Sequence, residues 1–338
     1  MSERMITTTP EWLKEKAVLR LSEAGLPRDQ AAVVAEVLVF ADLRGVHSHG
    51  VMRIPHYAER IRRGGINTSS TFPISPRGRV AFLLDAEGGM GHVAANKATE
   101  AALELVSKEG LALAGIRRSS HAGAMSYYVQ KALDAGVAAL VVANTDPAVV
   151  PPGGKVPFLG TNPLAFGFPG MGDDVLLDMA TSEVALGKVL YAREKNTPIP
   201  PTWAVDEEGN PTTDPHRAKW LLPFGGYKGY GIILMIELLT GVLIGGAFGP
   251  HLVKMYGDLE KQRNLAMWML FIDPGLFRAA DEVKALCQKL VDEIHAQPSV
   301  SGEQVMVPGE PEQRTMEQYL KEGIPLAEPV WRYLEEGR

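Results

Sequence analysis

The chain has 338 residues, of which 46% are hydrophobic and 22% charged, a composition typical of a globular protein and not of a disordered one. Its net charge of −6 and the lack of a Lys/Arg-rich stripe argue against nucleic-acid binding. No secretory signal is expected. The most apolar run, Ile232 to Ala247, is shorter than the ~20 residues of a membrane-spanning helix and contains Glu237, so we predict a core helix and no membrane association. The single cysteine, Cys287, favours a reducing, cytoplasmic location.

The first 65 residues predict three helices. Thr9-Pro10 is a helix start, and apolar residues at helical spacing continue to Gly25. A second helix is predicted over 27–43. A third segment is amphipathic over 51–61, and two starts are open: at Ser48, or only at Pro55, because proline inside a helix removes a hydrogen bond.

From residue 79 the pattern alternates between short strands and helices. Strands are predicted over 80–84, 111–116 and 137–143, with helices over 93–108 and 126–133. Gly89 to Ala94 matches G-x-G-x-x-A, so on pattern alone a Rossmann domain is the tempting interpretation. The next strand, however, ends in Arg117-Arg118 and not in the expected acid.

The later chain is predicted to hold further strands and helices. Strands are predicted over 164–168, 175–179 and 267–273, and helices over 182–193, 280–296, 313–322 and 329–336. Between them lie a Pro/Gly-rich region after Asn144, of the kind that carries binding groups, and a glycine-rich run around Lys228.

The stretch H-S-H-G-V-M-R concentrates reactive side chains. His49 can exchange a proton near neutral pH, and Arg53 offers a planar fork that matches a carboxylate, so a small organic acid is the predicted substrate. His47 and His49 alternate, yet no third ligand lies at a recognisable spacing, and we predict no metal site. A structural histidine at a helix junction is the alternative for His49, and His47 is assigned that role.

Two later positions are also candidates. Asp178 ends an apolar strand and should be paired; it either orients a histidine, contacts a cofactor or caps the strand end. Ser119 to Met125 passes from a strand into a helix, so its amides either receive phosphate or form a plain capped turn. The chain contains no P-loop and no G-x-S-x-G nucleophile elbow.

Seven stretches in this order resemble the type 2 malate/L-lactate dehydrogenases, whose relatives include ureidoglycolate, sulfolactate, diketogulonate and cyclic imino acid oxidoreductases. The stretches are D-L-R-G-V-H-S-H-G-V-M-R, G-M-G-H-V-A-A, S-S-H-A-G-A-M-S-Y-Y, P-P-G-G with G-T-N-P, L-D-M-A-T-S, G-G-Y-K-G-Y-G and a late P-G-E. The resemblance implies an α/β fold whose cofactor domain is not a Rossmann domain but holds a mixed, largely antiparallel sheet, with a helical domain built from both chain ends. It also implies a homodimer with the active site at the subunit interface.

The resemblance further implies a domain division and site roles. Residues 1–75 with 260–338 are expected to form the helical domain that carries the catalytic histidine, and 76–259 the nicotinamide-binding domain. His49 resembles the proton donor, Ser48 its partner, Arg53 the carboxylate-binding residue and Thr161 a substrate-pocket residue. The residues that resemble contacts to NAD or NADP are His121, Ala122, Gly123, Ala124, Met125, Asp178, Met179, Ala180, Lys228, Gly309 and Glu310.

The implied activity is hydride transfer between NAD(P)H and a small 2-oxo or 2-hydroxy acid, of malate or L-lactate type. Reduction of a cyclic imino acid, or a ureidoglycolate- or diketogulonate-type reaction, is the alternative within the family. A non-catalytic nucleotide-binding protein and a metal hydrolase are the alternatives from other classes. The chain departs from the family at Ala122, where phenylalanine is usual, and at Ser120, where asparagine is common. The preference between NAD and NADP is therefore not predicted.

Overall fold

The computed structural model describes residues 4–300 and 302–337. Positions 1–3, 301 and 338 of the predicted domain ranges lie outside the described residues. The strands are β1 (Met5–Thr8), β2 (Ile74–Pro76), β3 (Ala81–Asp85), β4 (Leu111–Ser119), β5 (Ala138–Ala143), β6 (Leu164–Phe168), β7 (Val175–Met179), β8 (Ala204–Val205), β9 (Trp220–Leu221), β10 (Leu265–Ile272) and β11 (Ile324–Ala327). The α-helices are α1 (Pro10–Glu23), α2 (Arg28–Leu43), α3 (Ile54–Arg62), α4 (Gly91–Glu109), α5 (Ser126–Asp134), α6 (Leu186–Lys195), α7 (Tyr227–Glu237), α8 (Ala280–His295), α9 (Glu310–Glu322) and α10 (Glu328–Glu336).

The two ends of the chain meet. Strand β1 pairs antiparallel with β11, and α10 packs against α1, where the rings of Trp12 and Trp331 stack with centroids 6.1 Å apart. The Thr9 hydroxyl caps α1 by accepting a hydrogen bond from the Trp12 amide at 3.2 Å. The helical start predicted at Thr9-Pro10 is thus confirmed.

The main sheet has seven strands in the order β2-β3-β4-β10-β5-β6-β7. Only β3 and β4 pair in parallel; every other neighbouring pair is antiparallel. A Rossmann sheet requires parallel strands with helical crossovers, so that interpretation of the pattern is wrong and the mixed, largely antiparallel sheet is confirmed. Strand β10, from the range 260–338, lies at the centre of the sheet; the domain division itself stays a prediction.

The glycine motif before α4 serves close packing. The Gly91 amide donates to the Ser120 hydroxyl at 2.9 Å, and a Cβ at Gly91 would collide with the main-chain carbonyls of Ser120 and His121. The glycine therefore lets α4 approach the loop that follows β4. Helices α4 and α5 then cover the sheet with buried alanines and valines, and α2 packs on α4, which brings the end of α2 to this loop.

The prediction of a single core helix for the apolar run Ile232 to Ala247 is wrong. It begins within α7, continues as a π-helical turn over Leu238–Leu243 and then leaves helical structure. Glu237 is buried and accepts hydrogen bonds from the Gly249 amide at 2.7 Å and the Asn162 side chain at 2.6 Å. One side of this segment is exposed: Leu238, Val242 and Leu243 keep 50%, 60% and 68% of their surface.

Membrane-spanning length and hydrophobicity are not reached by any helix in the described part of the chain.

Candidate active site

The H-S-H-G stretch forms two short 3-10 turns, His47–His49 and Val51–Arg53, and α3 begins only at Ile54. The helix start at Ser48 is therefore wrong. Pro55 lies in the first turn of α3, where its missing N–H leaves no hydrogen bond unmade. His49 and Arg53 are brought together by the turns and not by one helical face.

A buried carboxylate fixes these turns. Asp42 near the end of α2 accepts a hydrogen bond from the Val51 amide at 2.8 Å, and its other oxygen lies 2.8 Å from Nδ1 of His47. Any Cβ at Gly50 would collide with the Asp42 carboxylate. His47 is thus structural, as predicted from the sequence, and the position of His49 is set from α2.

His49 lies between a hydroxyl group and a second imidazole ring. The Ser48 hydroxyl lies 3.1 Å from its Nδ1, and its ring stacks on that of His121 with centroids 5.6 Å apart. Burial and the nearby charge of Arg53 lower the pKa of His49 to about 4. His49 in the protein alone is therefore neutral at physiological pH, a form that accepts a proton.

Two further aromatic residues surround His121. Nδ1 of His121 accepts a hydrogen bond from the Gly123 amide at 3.1 Å, and the Tyr57 hydroxyl lies 2.7 Å from the same nitrogen. Nδ1 is thus the acceptor, and Nε2 carries the proton of the neutral ring. His92, fully buried, packs edge-on against Tyr57 and His121 at 5.3 and 6.1 Å. Burial first, and His49 second, lower the pKa of His92 to about 3.

Arg53 is held on one side only. Its Nε donates to the Ser48 carbonyl at 2.6 Å, and its Nη1 contacts the Tyr256 hydroxyl and lies 3.9 Å from Sδ of Met255. The Nη2 group donates to none of the described residues, so part of the fork is free for a carboxylate.

A small cavity lies beside these groups. Arg263, buried at its wall, forms an ion pair with Asp146 and donates to the Val253 carbonyl at 3.2 Å. Thr161 is linked to the residue before Asp146, because its amide donates to the Thr145 hydroxyl at 2.9 Å. The cavity is lined by His56, Tyr57, Arg60, Ile66, Ser120, His121, Met255 and Arg263.

Several of the predicted cofactor residues surround the start of α5. Asp178, at the end of β7, accepts a hydrogen bond from the Ser126 amide at 2.8 Å, so it caps a helix from another element. Met179 and Ala180 follow it. Buried Arg44 interacts electrostatically with Asp178 and lies 3.4 Å from the carbonyl of Gly309.

The run from His121 to Met125 offers backbone donors. Ala122, Ala124 and Met125 are buried, yet the amides of Ala124 and Met125 donate to none of the described residues. Gly123 has a φ of 73°, a left-handed value that turns the chain into α5. Free amides before a helix suit the phosphates or the amide of a dinucleotide.

Two predicted cofactor residues have other surroundings. Glu310 is paired with His295 at 2.5 Å and accepts a hydrogen bond from the Val307 amide at 2.9 Å. Lys228 is exposed at the start of α7 and has neither a hydrogen bond nor an ion pair with any described residue. No hydrogen bond or ion pair among the described residues links Lys228 to His49.

No group of three His, Cys, Asp or Glu that would hold a metal ion exists within residues 4–300 and 302–337.

Sequence reasoning missed five side chains that shape the site: Arg44, Tyr57, His92, Tyr256 and Arg263. Tyr57 lies four residues after Arg53, and this helical spacing was a signal that could have identified it. His92 lies inside the G-M-G-H motif. Arg44 precedes the H-S-H-G stretch. Tyr256 and Arg263 come from an irregular segment about 200 residues away, and no local pattern links them to the site.

Comparison with known proteins assigns the family. A family model described as malate/L-lactate dehydrogenase matches residues 8–335. The ureidoglycolate dehydrogenase (NAD(+)) of Escherichia coli O157:H7 is 44% identical over 93% of this chain and 91% of its own length. The solved sulfolactate dehydrogenase of Methanocaldococcus jannaschii superposes with a TM-score of 0.93 at 34% identity, covering 98% of this chain and 96% of that one. The delta1-piperideine-2-carboxylate reductase of Pseudomonas syringae superposes with a TM-score of 0.89 at 28% identity, covering 98% and 99%. The predicted resemblance is confirmed: the chain belongs to the malate/L-lactate dehydrogenase family.

Proposed function

We propose that the protein is an NAD(P)-dependent oxidoreductase that interconverts a small 2-oxo acid and its 2-hydroxy acid, of malate or L-lactate type. One observation carries the proposal: a neutral His49 hydrogen-bonded to Ser48 lies in the same pair of turns as Arg53, whose Nη2 is free. This is a proton-transfer group beside a carboxylate-binding group, which is what a 2-hydroxy acid requires.

In the oxidation direction, His49 accepts the hydroxyl proton of the substrate while Arg53 binds its carboxylate. In reduction, His49 returns a proton to the carbonyl oxygen. The charge of Arg53 helps to lower the pKa of His49, and a bound carboxylate would offset that charge. Substrate binding would therefore raise the pKa of His49 toward neutrality, where it serves both directions.

The residues around the start of α5 fit a nicotinamide cofactor. The free amides of Ala124 and Met125 and the guanidinium of Arg44 would hold its polar groups, with His121, Ala122, Gly123, Asp178, Met179, Ala180 and Gly309 beside them. When bound, NAD or NADP supplies or accepts the hydride at the substrate carbon. Lys228 and Glu310 are proposed as further cofactor contacts by family resemblance, and Thr161 as a substrate-pocket residue.

A homodimer is part of the proposal. The chain exposes 16414 Å², whereas a monomeric protein of this size exposes roughly 13,500 Å². The excess is of the order buried by obligate dimers. The apolar side of α7 and its π-helical turn, with Leu238, Val242 and Leu243, would be covered by a second copy. Such an interface would also place Lys228 against the partner, which would complete the active site.

Two alternative functions have specific support. The 44% identity to a ureidoglycolate dehydrogenase favours a 2-hydroxy acid with a ureido group. The likeness to a cyclic imino acid reductase favours an imine, for which His49 would supply a proton to nitrogen. The domain division into 1–75 with 260–338 and 76–259, and a cytoplasmic location, which rests on the single free Cys287, also remain proposals.

A substrate panel tests the proposal. Malate, L-lactate, ureidoglycolate, sulfolactate and a cyclic imino acid are each incubated with NAD(H) and NADP(H), and the absorbance of reduced nicotinamide is followed. Turnover of at least one 2-hydroxy acid is expected, and its rate should be the same with a chelator present. Turnover of the imine alone would favour that second candidate, and no turnover at all would contradict the proposal.

A further inference from the structure

An irregular segment of residues 254–261 covers the Arg53 side of the cavity. It contains no helix or strand, and the Lys254 and Asp258 carbonyls accept only turn hydrogen bonds from the backbone. Arg60, 1% exposed on α3, adds to them: its guanidinium donates to the carbonyls of Lys254, Met255, Asp258 and Lys261 at 3.2, 2.9, 3.3 and 2.7 Å. A buried guanidinium with four carbonyl acceptors on one segment fixes the shape of that segment.

Tyr256 projects from this fixed segment onto Arg53. Its hydroxyl oxygen accepts a hydrogen bond from Nη1 of Arg53, and the Arg53 guanidinium carbon lies 6.0 Å from the Tyr256 ring centroid. The His56 ring, 5.0 Å away, supports the Tyr256 ring from the cavity side. Tyr256 as a whole is 73% exposed, so its place is set by Arg53 and not by burial in a core.

Two donors remain unused at this contact. The hydroxyl oxygen of Tyr256 already accepts from Arg53, and its own proton has no acceptor among the described residues. Nη2 of Arg53 is likewise free in the described part of the chain. A carboxylate has two oxygens that accept hydrogen bonds, so one oxygen could bind Nη2 and the other the phenol.

Charge favours the same ligand. Arg263 is neutralised by Asp146, and the charge of Arg60 is directed to main-chain carbonyls. Arg53 has no carboxylate partner among the described ion pairs. Of these three arginines, Arg53 is therefore the one that gains most from an anionic ligand.

We propose that Tyr256 is a second carboxylate-binding residue, which donates its hydroxyl hydrogen bond to the substrate carboxylate while it holds Arg53 in place. The inference rests on the proposed function, because it assigns a role at the same substrate site. It makes substrate recognition depend on a segment distant in sequence from the catalytic turn.

The test is Tyr256→Phe, which removes the hydroxyl and keeps the ring over Arg53. With the panel substrate that the wild type turns over fastest, KM should rise about 10- to 100-fold, the range for a hydrogen bond to a charged group. The kcat at saturation and the KM for reduced nicotinamide should stay within twofold. Tyr333→Phe is the matched control, since that hydroxyl on α10 has no partner among the described residues. An unchanged substrate KM in Tyr256→Phe would overturn the inference.

A binding measurement separates this inference from the proposed function. Calorimetry with oxalate, a small dicarboxylate that needs no turnover, should show tighter binding to the wild type than to Tyr256→Phe by a similar factor. Equal affinities, or no oxalate binding to the wild type, would overturn the role of Tyr256. Failure of the whole substrate panel with this difference in oxalate affinity intact would contradict only the proposed reaction.

Discussion

Two regions of the molecule differ in how complete they are within one chain. The histidine-rich centre, with His49, His121 and Tyr57, is enclosed, and its side chains contact one another. The α7 region presents an apolar face and Lys228, which has no partner among the described residues. The groups proposed for proton transfer and carboxylate binding thus lie on elements of one chain, whereas the role proposed for α7 would require a second copy.

The sharpest test of the centre is His49→Ala. Loss of general acid–base catalysis should lower kcat by about 10²- to 10⁴-fold. The measurement is steady-state turnover with the best panel substrate. His216→Ala, at an exposed histidine that bonds the Asn196 side chain, is the matched control and should keep wild-type kcat. Wild-type turnover in His49→Ala would shift the proton-transfer role to His121.

The α7 face is tested by Leu238→Asp combined with Val242→Asp. Two charges in a buried interface are costly, so the molecular mass in light scattering should fall to that of one chain, with at least a roughly tenfold loss of turnover. Leu320→Asp, on the exposed side of α9 at 56% exposure, is the control. A monomeric wild type with full activity would remove the difference between the two regions.

The role of Arg60 in holding the 254–261 segment beside the histidine-rich centre is tested by Arg60→Met. The change removes the guanidinium that binds four carbonyls of the 254–261 segment and leaves those of Met255 and Lys261 without a donor among the described residues, at a cost of about 3 kcal/mol in the free energy of unfolding. Denaturant unfolding measures this loss, and substrate KM should rise because Tyr256 is no longer fixed. Arg62→Met, at an exposed arginine two residues further along α3, is the control. Unchanged stability and KM would show that the segment holds its shape without Arg60.

The smallest effect concerns pH. His92 has a pKa of about 3 in the folded protein and 6.5 as an ordinary histidine, so the unfolded chain binds the extra proton between these values. Its stabilising contribution is present above pH 6.5 and is lost as the pH falls toward 3. At pH 5 the loss amounts to about 2 kcal/mol.

His92→Gln should therefore show a shallower decrease in unfolding free energy from pH 7 to pH 5 than the wild type. His216→Gln, at an exposed position, is the control and should keep the wild-type slope. The same slope in His92→Gln would mean that His92 is not excluded from water as its burial indicates.

Local patterns were enough for most of the fold. Helices such as α2 and α8 follow from apolar residues at helical spacing, and β6 and β7 start and end as predicted. Strands of two to four residues, such as β8 and β11, were not predicted, because their pairing is set by distant chain and not by their own alternation. The sheet order has the same origin.

The candidate site divides in the same way. His49 and Arg53 lie close in sequence, so their chemical roles could be predicted together. The 3-10 turns that join them could not. Arg263 and Tyr256 join the site from about 200 residues away. Arg263 is held by its ion pair with Asp146, and Tyr256 by the segment whose carbonyls Arg60 binds. Such contacts depend on tertiary packing, which single-sequence reasoning does not provide.

The carboxylate of Asp42 has a consequence for protein design. It fixes the H-S-H-G turns by binding the Val51 amide and facing His47, and Gly50 leaves it the necessary room. Transplanting these turns to another scaffold would fail if only the seven residues from His47 to Arg53 were moved. The smallest unit that could be transplanted includes the last turns of α2, because Asp42 sets the position of His49 without contacting it.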